Sequence, residues 1–308
     1  MRIAVVGGSG RAGEYIIAEC AAAGHELVNA DQRPPGPDYR DSGATFLRTD
    51  AENLGEVVAA TRGADAVIHM AAIASPTTEP EYSLFRTNMM SNWAVLEACE
   101  INGVERVVMA SSINAIGAVF GDRLIPPEYL PVDEDHPTRM QDAYSQSKWL
   151  GEQMAAAFVR RGKIAQIASM RFHALWDPPT ARAYREKGDK QNSSHQAMDF
   201  WSWVGRHDAA RACRLGIERH LDGHEAFFIN ASDTVLEIPT AEAIAREYPG
   251  VEIRQPLDGF ASILSNAKAG ELLGWEPVES WRTGAVKEPE PVAEARHSGY
   301  EAPWRRGK

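Results

Sequence analysis

Residues 1–13 read MRIAVVGGSGRAG, and this stretch decides the fold of the chain. Residues 3–6 form a short apolar run with β-branched side chains, which is typical of a buried parallel strand. Residues 14–23 follow with the apolar pattern of a helix. Strand, turn and helix together predict a phosphate-binding loop, because glycine permits close backbone approach and a helix start offers free N–H groups. The glycines of this loop recur every three residues, at Gly7, Gly10 and Gly13.

A second predicted strand, at 26–30, is followed directly by Asp31. An acidic side chain at this place accepts hydrogen bonds from ribose hydroxyls and repels a 2′-phosphate. The loop and Asp31 therefore predict NAD as the cofactor. Arg11 and Arg33 leave NADP open at this stage, since either side chain could pair with a phosphate.

Composition excludes several classes of protein. The chain has 308 residues, 44% of them hydrophobic, a net charge of -11 and a pI near 5.4. Excess negative charge argues against a nucleic acid or an anionic membrane surface as partner. No apolar run approaches the ~20 residues of a membrane span. Three widely spaced cysteines and no metal-ligand spacing predict a cytoplasmic protein without a metal site.

Strand and helix patterns alternate through the first 170 or so residues, which predicts a parallel sheet covered on both faces. The predicted fold class is α/β, a doubly wound Rossmann sheet with a smaller C-terminal substrate-binding cap. The predicted dinucleotide-binding domain spans 1–171 and about 203–222. The cap and tail take about 172–202 and 223–308. Within the cap, proline, charge and turn residues at 176–196 predict a loop or lid.

Tyr144 and Lys148 stand four residues apart in AYSQSKWLGE, within a predicted helix at 143–161. This spacing puts both side chains on one helix face. A neighbouring ammonium favours phenolate, so Lys148 is expected to lower the pKa of Tyr144 from its usual ~10. The pair is a candidate proton-transfer centre.

Taken together, these motifs resemble the extended short-chain dehydrogenase/reductase family, also called the NAD-dependent epimerase/dehydratase family. The resemblance covers nearly the whole chain. It rests on G-x-x-G-x-x-G at 7–13, Asp50 after the third strand, HMAA at 69–72, Asn88, ASSINAIG at 110–117, the Tyr144–Lys148 pair, WVGRHDA at 203–209 and LLGWEP at 272–277.

The resemblance implies a role for each matching residue. Tyr144 is the general base or acid, Lys148 binds the nicotinamide ribose, and Ser112 hydrogen-bonds the reacting oxygen, with Ser111 as the alternative. It also implies a homodimer that forms through helices at 84–102 and 143–161. The implied NAD site comprises Gly7, Gly10, Arg11, Ala12, Gly13, Asp31, Asp50, Ala51, Ala71, Ala72, Asn88, Tyr144 and Lys148.

Departures from the family pattern narrow the predicted substrate. Ile113 and Asn114 replace the Asp-Glu pair of the dehydratases, and Ala174 stands where many nucleotide-sugar enzymes carry an asparagine. The leading prediction is an NAD-dependent dehydrogenase acting on a hydroxyl or carbonyl of a small sugar or sugar acid. The first alternative is a UDP-sugar 4-epimerase with tightly bound NAD, and the second is a non-enzymatic dinucleotide sensor. The predicted substrate-binding residues are Ser75, Asn114, His173 and Arg185.

Overall fold

The computed structural model describes residues 1–39, 42–117, 119–188 and 190–286. Its strands are β1 Arg2–Val6, β2 Glu26–Asp31, β3 Thr45–Arg48, β4 Ala66–His69, β5 Arg106–Ser112, β6 Tyr129–Leu130, β7 Gln166–Phe172, β8 Leu175–Trp176, β9 Val204–Gly205, β10 Gly223–Ile229 and β11 Glu252–Ile253. Its helices are α1 Gly13–Ala22, α2 Leu54–Thr61, α3 Glu81–Asn102, α4 Ala143–Arg160, α5 Pro178–Lys187, α6 Arg206–Glu218, α7 Thr240–Glu247 and α8 Ala267–Leu273.

Seven of these strands form one sheet in the order β10-β7-β5-β4-β1-β2-β3, and every neighbouring pair is parallel. The chain order reverses between β1 and β4. In open α/β sheets a ligand crevice lies at such a reversal, outside the carboxyl ends of the strands. The predicted Rossmann architecture is confirmed.

Two cores cover the two faces of the sheet. One packs apolar side chains of α1 and α6 against it, among them Ile16, Ile17 and Cys213. The other uses α2, α3 and α4, with Val57, Leu96 and Phe158. Both faces are therefore buried, which is why the strand sequences are apolar without alternation.

A third core belongs to the C-terminal region and contains several aromatic side chains, including Trp201, Trp203, Tyr248 and Trp281. It continues into the sheet through Phe228 of β10. The domain boundaries proposed above therefore stay a prediction. The predicted tail from 288 onward lies outside the described residues.

The prediction of a loop at 176–196 is wrong over 178–187, where the chain forms α5. Asp177 caps this helix by accepting a hydrogen bond from the Thr180 N–H at 2.8 Å. Two prolines occupy the first turn, where an N–H has no intrahelical partner and its loss costs nothing. The same prolines that indicate a loop in the sequence therefore begin a helix.

Candidate active site

The glycine loop is packed so closely that a Cβ on Gly7 or Gly13 would collide with backbone atoms. Gly7 has φ +86°, and a Cβ there would lie 2.5 Å from the Ala71 nitrogen. A Cβ on Gly13 would lie 2.3 Å from the Gly7 oxygen. At Gly10 a Cβ would meet only that same oxygen, at 3.2 Å. Gly7 and Gly13 thus hold the loop against β4 and α1, and Gly10 leaves an open face to a ligand.

The start of α1 completes this cradle. Ala12 is the N-cap residue, and its methyl side chain cannot cap the first-turn N–H groups. The Glu14 N–H already donates to the Gly10 carbonyl at 3.0 Å, and the other first-turn groups, together with the positive end of the helix dipole, favour an anion. The loop therefore fits the pyrophosphate of a dinucleotide.

Acidic side chains stand at the carboxyl ends of the next two strands. In Asp31 one carboxylate oxygen accepts from the Ser9 N–H at 3.1 Å and the other from the Arg33 N–H at 3.0 Å. In Asp50 the carboxylate accepts from the Glu52 N–H at 3.0 Å. Ala51 follows Asp50 directly in the chain. Each Asp31 oxygen keeps a lone pair, so the carboxylate can still accept from ribose hydroxyls.

The turn after β4 is held by Asn88 of α3. The Asn88 amide accepts from the Ile73 N–H at 2.8 Å and donates to the Ile73 carbonyl and the Ser147 hydroxyl, each at 3.1 Å. Ala71 and Ala72 lie just before Ile73, and the Ala71 N–H bonds the Val6 carbonyl at 3.0 Å. The structure thus ties Asn88 to the loop that borders the cradle, with its amide fully engaged.

Ser112, Tyr144 and Lys148 come together where β5 ends against the first turns of α4, and all three are buried. Burial raises the pKa of Tyr144 to about 12, and a hydrogen bond with Ser112 opposes that rise. The Lys148 Nζ lies 5.6 Å from the centre of the Tyr144 ring and donates to the Ala110 carbonyl at 2.9 Å. Burial lowers the pKa of Lys148 to about 8.

The expected lowering of the Tyr144 pKa by Lys148 is therefore wrong for the protein alone. The lysine Nζ is held by a strand carbonyl, and desolvation of the phenol dominates. Ring packing adds to this desolvation, since Phe120 lies edge-on to Tyr144 with ring centres 5.6 Å apart. Phe120 could not be predicted from the sequence, because nothing in the spacing of Phe120 links it to Tyr144.

The two serines at the end of β5 have different partners. Ser112 accepts from both the backbone N–H and the side-chain amide of Asn114, each at 3.1 Å. Ser111 points the other way and donates to Glu152 at 2.6 Å, and the same carboxylate binds Arg171. Only Ser112 is thus beside Tyr144. Sequence reasoning missed Glu152, although it follows Lys148 by one helical turn.

The predicted substrate-binding residues differ in what they can offer. The side-chain oxygen of Asn114 is buried and has no hydrogen-bond partner within the described residues, so it can accept from a ligand. In Ser75 the hydroxyl already bonds Thr77 at 2.7 Å. In His173 one nitrogen bonds the Asp199 carbonyl at 2.7 Å and the other accepts from the Ala174 N–H at 2.6 Å. Burial lowers the pKa of His173 to about 4, so its ring is uncharged at neutral pH.

Arg185 is not brought to this site. It lines a cavity of about 220 Å³ between α5 and the segment 279–286. A Cβ on Gly284 would lie 2.8 Å from its guanidinium, which therefore rests on that backbone. The described residues that line this cavity do not include Ser112, Tyr144 or Lys148.

Comparison with known proteins identifies the family. The model of the NAD-dependent epimerase/dehydratase family matches residues 3–175, more than half of the chain. The chain belongs to the NAD-dependent epimerase/dehydratase family. Its predicted family is confirmed, and so is the prediction that it is an NAD-dependent dehydrogenase or epimerase. The alternative of a non-enzymatic sensor falls with this result.

Individual relatives point mostly to one activity. A UDP-glucose 4-epimerase from Corynebacterium glutamicum is 23% identical over 90% of this chain and 91% of its own length. A 3-beta-hydroxysteroid dehydrogenase from Mycolicibacterium neoaurum is 28% identical over 82% of this chain and 72% of its own. Among solved structures, a UDP-glucose 4-epimerase from Thermotoga maritima, crystallised with UDP-glucose, has a TM-score of 0.68, 22% identity and coverage of 92% and 96%.

NAD, named in the description of this epimerase/dehydratase family, is confirmed as the cofactor. The glycine cradle, the free start of α1 and the lone pairs of Asp31 fit it. Across the described residues no group of three or more histidine, cysteine or acidic side chains could hold a metal ion. In the same residues, none of the helices has the length and apolar character needed to cross a membrane. The cytoplasmic location stays a prediction.

Proposed function

We propose that this protein is a nucleotide-sugar 4-epimerase that acts on a UDP-sugar and keeps NAD bound between turnovers. The observation that carries the proposal is the meeting of Ser112, Tyr144 and Lys148 at the carboxyl end of β5, beside the glycine cradle. Relatives that cover about nine tenths of both chains and are named UDP-glucose 4-epimerase support the choice of reaction. The proposal replaces the leading prediction of a dehydrogenase.

The chain's own residues would move one proton and hold one oxygen. Tyr144 takes the proton of the sugar hydroxyl through its phenol oxygen and returns it to the carbonyl oxygen in the reverse step. Ser112 would turn its single hydroxyl proton from Tyr144 to the same sugar oxygen and hold that oxygen in line. The Lys148 Nζ lies 5.6 Å from the Tyr144 ring centre and donates to the Ala110 carbonyl, so its charge would favour phenolate once the amine turns from that carbonyl toward the phenol. Bound NAD supplies the redox chemistry at the sugar carbon.

The surrounding residues would orient the ligands. Gly7, Gly10, Arg11, Ala12 and Gly13 hold the pyrophosphate. Of the predicted substrate residues, Asn114 supports contact with a sugar hydroxyl best, because its buried oxygen lacks a partner in the described part of the chain. The remaining proposed NAD contacts are Asp31, Asp50, Ala51, Ala71, Ala72 and Lys148, with Asn88 behind them.

A second candidate function is a dehydrogenase that releases NADH and acts on a small sugar or sugar acid. Ala174 favours the dehydrogenase, because an alanine at this position after β7 has no side-chain amide to hold a diphosphate. The backbone N–H of Ala174 is also engaged, by His173 at 2.6 Å. A free sugar would need neither group.

One experiment separates the two functions. The purified protein is expected to retain NAD through gel filtration and to interconvert UDP-glucose and UDP-galactose without net NADH. Product analysis by chromatography and NADH absorbance are read in the same reactions, with free glucose, galactose and galacturonate as parallel substrates. Accumulation of NADH with a free sugar or sugar acid, and no conversion of UDP-sugars, would select the dehydrogenase.

We also propose that the chain is a homodimer that forms through α3 and α4. Support comes from an apolar stripe on α3, where Met90, Trp93 and Ile101 are 47%, 43% and 57% exposed. Met90 and Ile101 lie three helical turns apart on one face. Large exposed apolar patches mark interaction surfaces.

The homodimer is expected to sediment at about twice the 33.8 kDa of one chain. Replacing both Met90 and Ile101 with aspartate should give monomers with unchanged circular dichroism, because two charges would lose water in the interface. The matched control is Ile253→Asp together with Val278→Asp, which puts the same charges on exposed side chains outside α3 and α4. A wild-type protein that sediments as a monomer would contradict the proposal.

A further inference from the structure

A buried cluster of charges lies directly behind the catalytic pair. Glu152 is one helical turn beyond Lys148 on α4, and its side chain is 3% exposed. Both of its oxygens accept from the Arg171 guanidinium at 2.9 Å. One of them also accepts from the Ser111 hydroxyl at 2.6 Å. A single carboxylate thus joins α4, β5 and β7 at the end of the sheet where the site lies.

A buried ion pair of this kind contributes little to the stability of a fold. Burying an ion pair forfeits the hydration of both groups, and apolar residues of similar size often stabilise a core as well or better. The Arg171 guanidinium has further partners, since it donates to the Glu134 carbonyl at 3.3 Å and lies 5.2 Å from the centre of the Phe228 ring. The carboxylate is therefore fixed by hydrogen bonds from two other strands, and Lys148 lies one helical turn before it on α4.

Lys148 is surrounded by few groups that could keep it charged. From β5 the Ala110 carbonyl accepts a hydrogen bond from the Lys148 Nζ at 2.9 Å, and on α4 the Tyr144 ring centre lies 5.6 Å away. From β4 comes His69, whose pKa is lowered to about 3 by burial and by Lys148 itself, so its ring is neutral. The neighbouring polar group on α3 is the uncharged amide of Asn92, bonded to His69 at 3.1 Å.

Glu152 opposes the effect of burial on this lysine. Desolvation lowers the pKa of Lys148 to about 8, and the field of Glu152 raises it. Among the described residues, Glu152 is the charged group whose field acts on Lys148 in this direction. A pKa near 8 leaves the amine mostly protonated at neutral pH, and a fall by about one unit would leave roughly half of it uncharged.

We propose that Glu152 is a positioning residue that keeps the Lys148 ammonium charged and in place, and that Ser111 and Arg171 hold its carboxylate for this task. The inference rests on the proposed catalytic role of Lys148. The proposal also explains why the two serines at the end of β5 have different partners. Ser112 faces the reacting oxygen, and Ser111 fastens the same strand end to the helix that carries Tyr144 and Lys148.

The test is the titration of the Lys148 amine in the cofactor-free protein. Lysines are labelled with ¹⁵N, and the Lys148 signal is assigned by its loss in Lys148→Met. In Glu152→Gln we expect the titration midpoint to fall by about one pH unit or more, since an opposite charge at this range shifts a pKa by about 1–3 units. The pH at which NAD affinity begins to weaken should fall by the same amount.

Glu100→Gln is the matched control. Glu100 is 4% exposed and pairs with Arg161 at 3.2 Å, so the same buried change is made on α3 away from Lys148. Its Lys148 midpoint should equal that of the wild type. Ser111→Ala should lower the midpoint much less than Glu152→Gln, because it removes one of three hydrogen bonds to the carboxylate and leaves its charge.

An unchanged midpoint in folded Glu152→Gln would overturn the proposal, as would an equal fall in Ser111→Ala. If Glu152→Gln does not fold, Glu152→Met with Arg171→Met removes both buried charges together, and a smaller fall in the same direction is expected there, because the positive charge of Arg171 is lost as well. The titration needs neither substrate nor turnover, so its result does not depend on whether the proposed reaction is correct. A protein with the shift but without epimerase activity would contradict only the proposed function.

Discussion

Tyr144→Phe is expected to lower turnover by roughly 100- to 10,000-fold, the usual contribution of a general acid–base group. The change removes one hydroxyl and keeps the ring, which packs edge-on against Phe120 at 5.6 Å. Folding and NAD affinity should therefore stay close to those of the wild type. Turnover is measured with the substrate found in the panel above, and NAD affinity by titration of the cofactor-free protein.

Tyr129→Phe is the matched control for this variant. Tyr129 and Tyr144 are each 6% exposed, so the same atom is removed from an equally buried tyrosine. The Tyr129 hydroxyl donates to Asp133 at 2.6 Å, away from the proposed site. Turnover of Tyr144→Phe at the level of Tyr129→Phe would refute the role of Tyr144 as the base.

Local pattern was enough to predict the sheet and the glycine cradle. A strand, a turn of three glycines and a helix are contiguous in the chain, so their geometry follows from neighbouring residues alone. In the structure, glycine is needed at each of the three positions for a different reason. Gly7 has a positive φ, Gly10 leaves an open face, and Gly13 packs closely against the loop. Sequence spacing could not separate these reasons, because they depend on β4 and on the fold of the loop itself.

The partners of the buried Glu152 carboxylate could not be predicted from the sequence. Ser111 and Glu152 are 41 positions apart and meet only because β5 ends beside α4. Arg171 joins them from β7, 19 positions from Glu152. Glu152 follows Lys148 by one helical turn, but nothing local indicates which cation it binds. The same limit explains why Arg185 was expected at the active site and lies in another cavity.

The pKa of Tyr144 was misjudged for a related reason. The sequence shows that a lysine lies one turn away, which favours the phenolate. It does not show how deeply the phenol is buried or where the ammonium points. In the folded protein, burial raises the pKa of Tyr144 to about 12, and the Lys148 Nζ turns to the Ala110 carbonyl. Tertiary burial outweighs a local charge here.

The opposite outcomes of two alanine substitutions should show how the cradle works. In Gly13→Ala the new Cβ would lie 2.3 Å from the Gly7 oxygen and 2.7 Å from the Gly8 Cα, so backbone must move. Overpacking of this kind costs about 1–3 kcal/mol or more. The melting temperature should therefore fall by several degrees. NAD affinity should fall as well, because α1 can no longer approach the loop.

Gly10→Ala should behave differently, because its Cβ would meet only the Gly7 oxygen, at 3.2 Å. The cofactor-free protein should lose less stability than Gly13→Ala does, because a contact at 3.2 Å needs the Gly7 oxygen to move by only a few tenths of an ångström. NAD affinity should nevertheless drop at least about tenfold, because the methyl group occupies the open face that the pyrophosphate needs. Calorimetric melting and NAD titration are compared for the two variants. Wild-type NAD affinity in Gly10→Ala would place the pyrophosphate elsewhere and remove the basis for the proposed cofactor contacts.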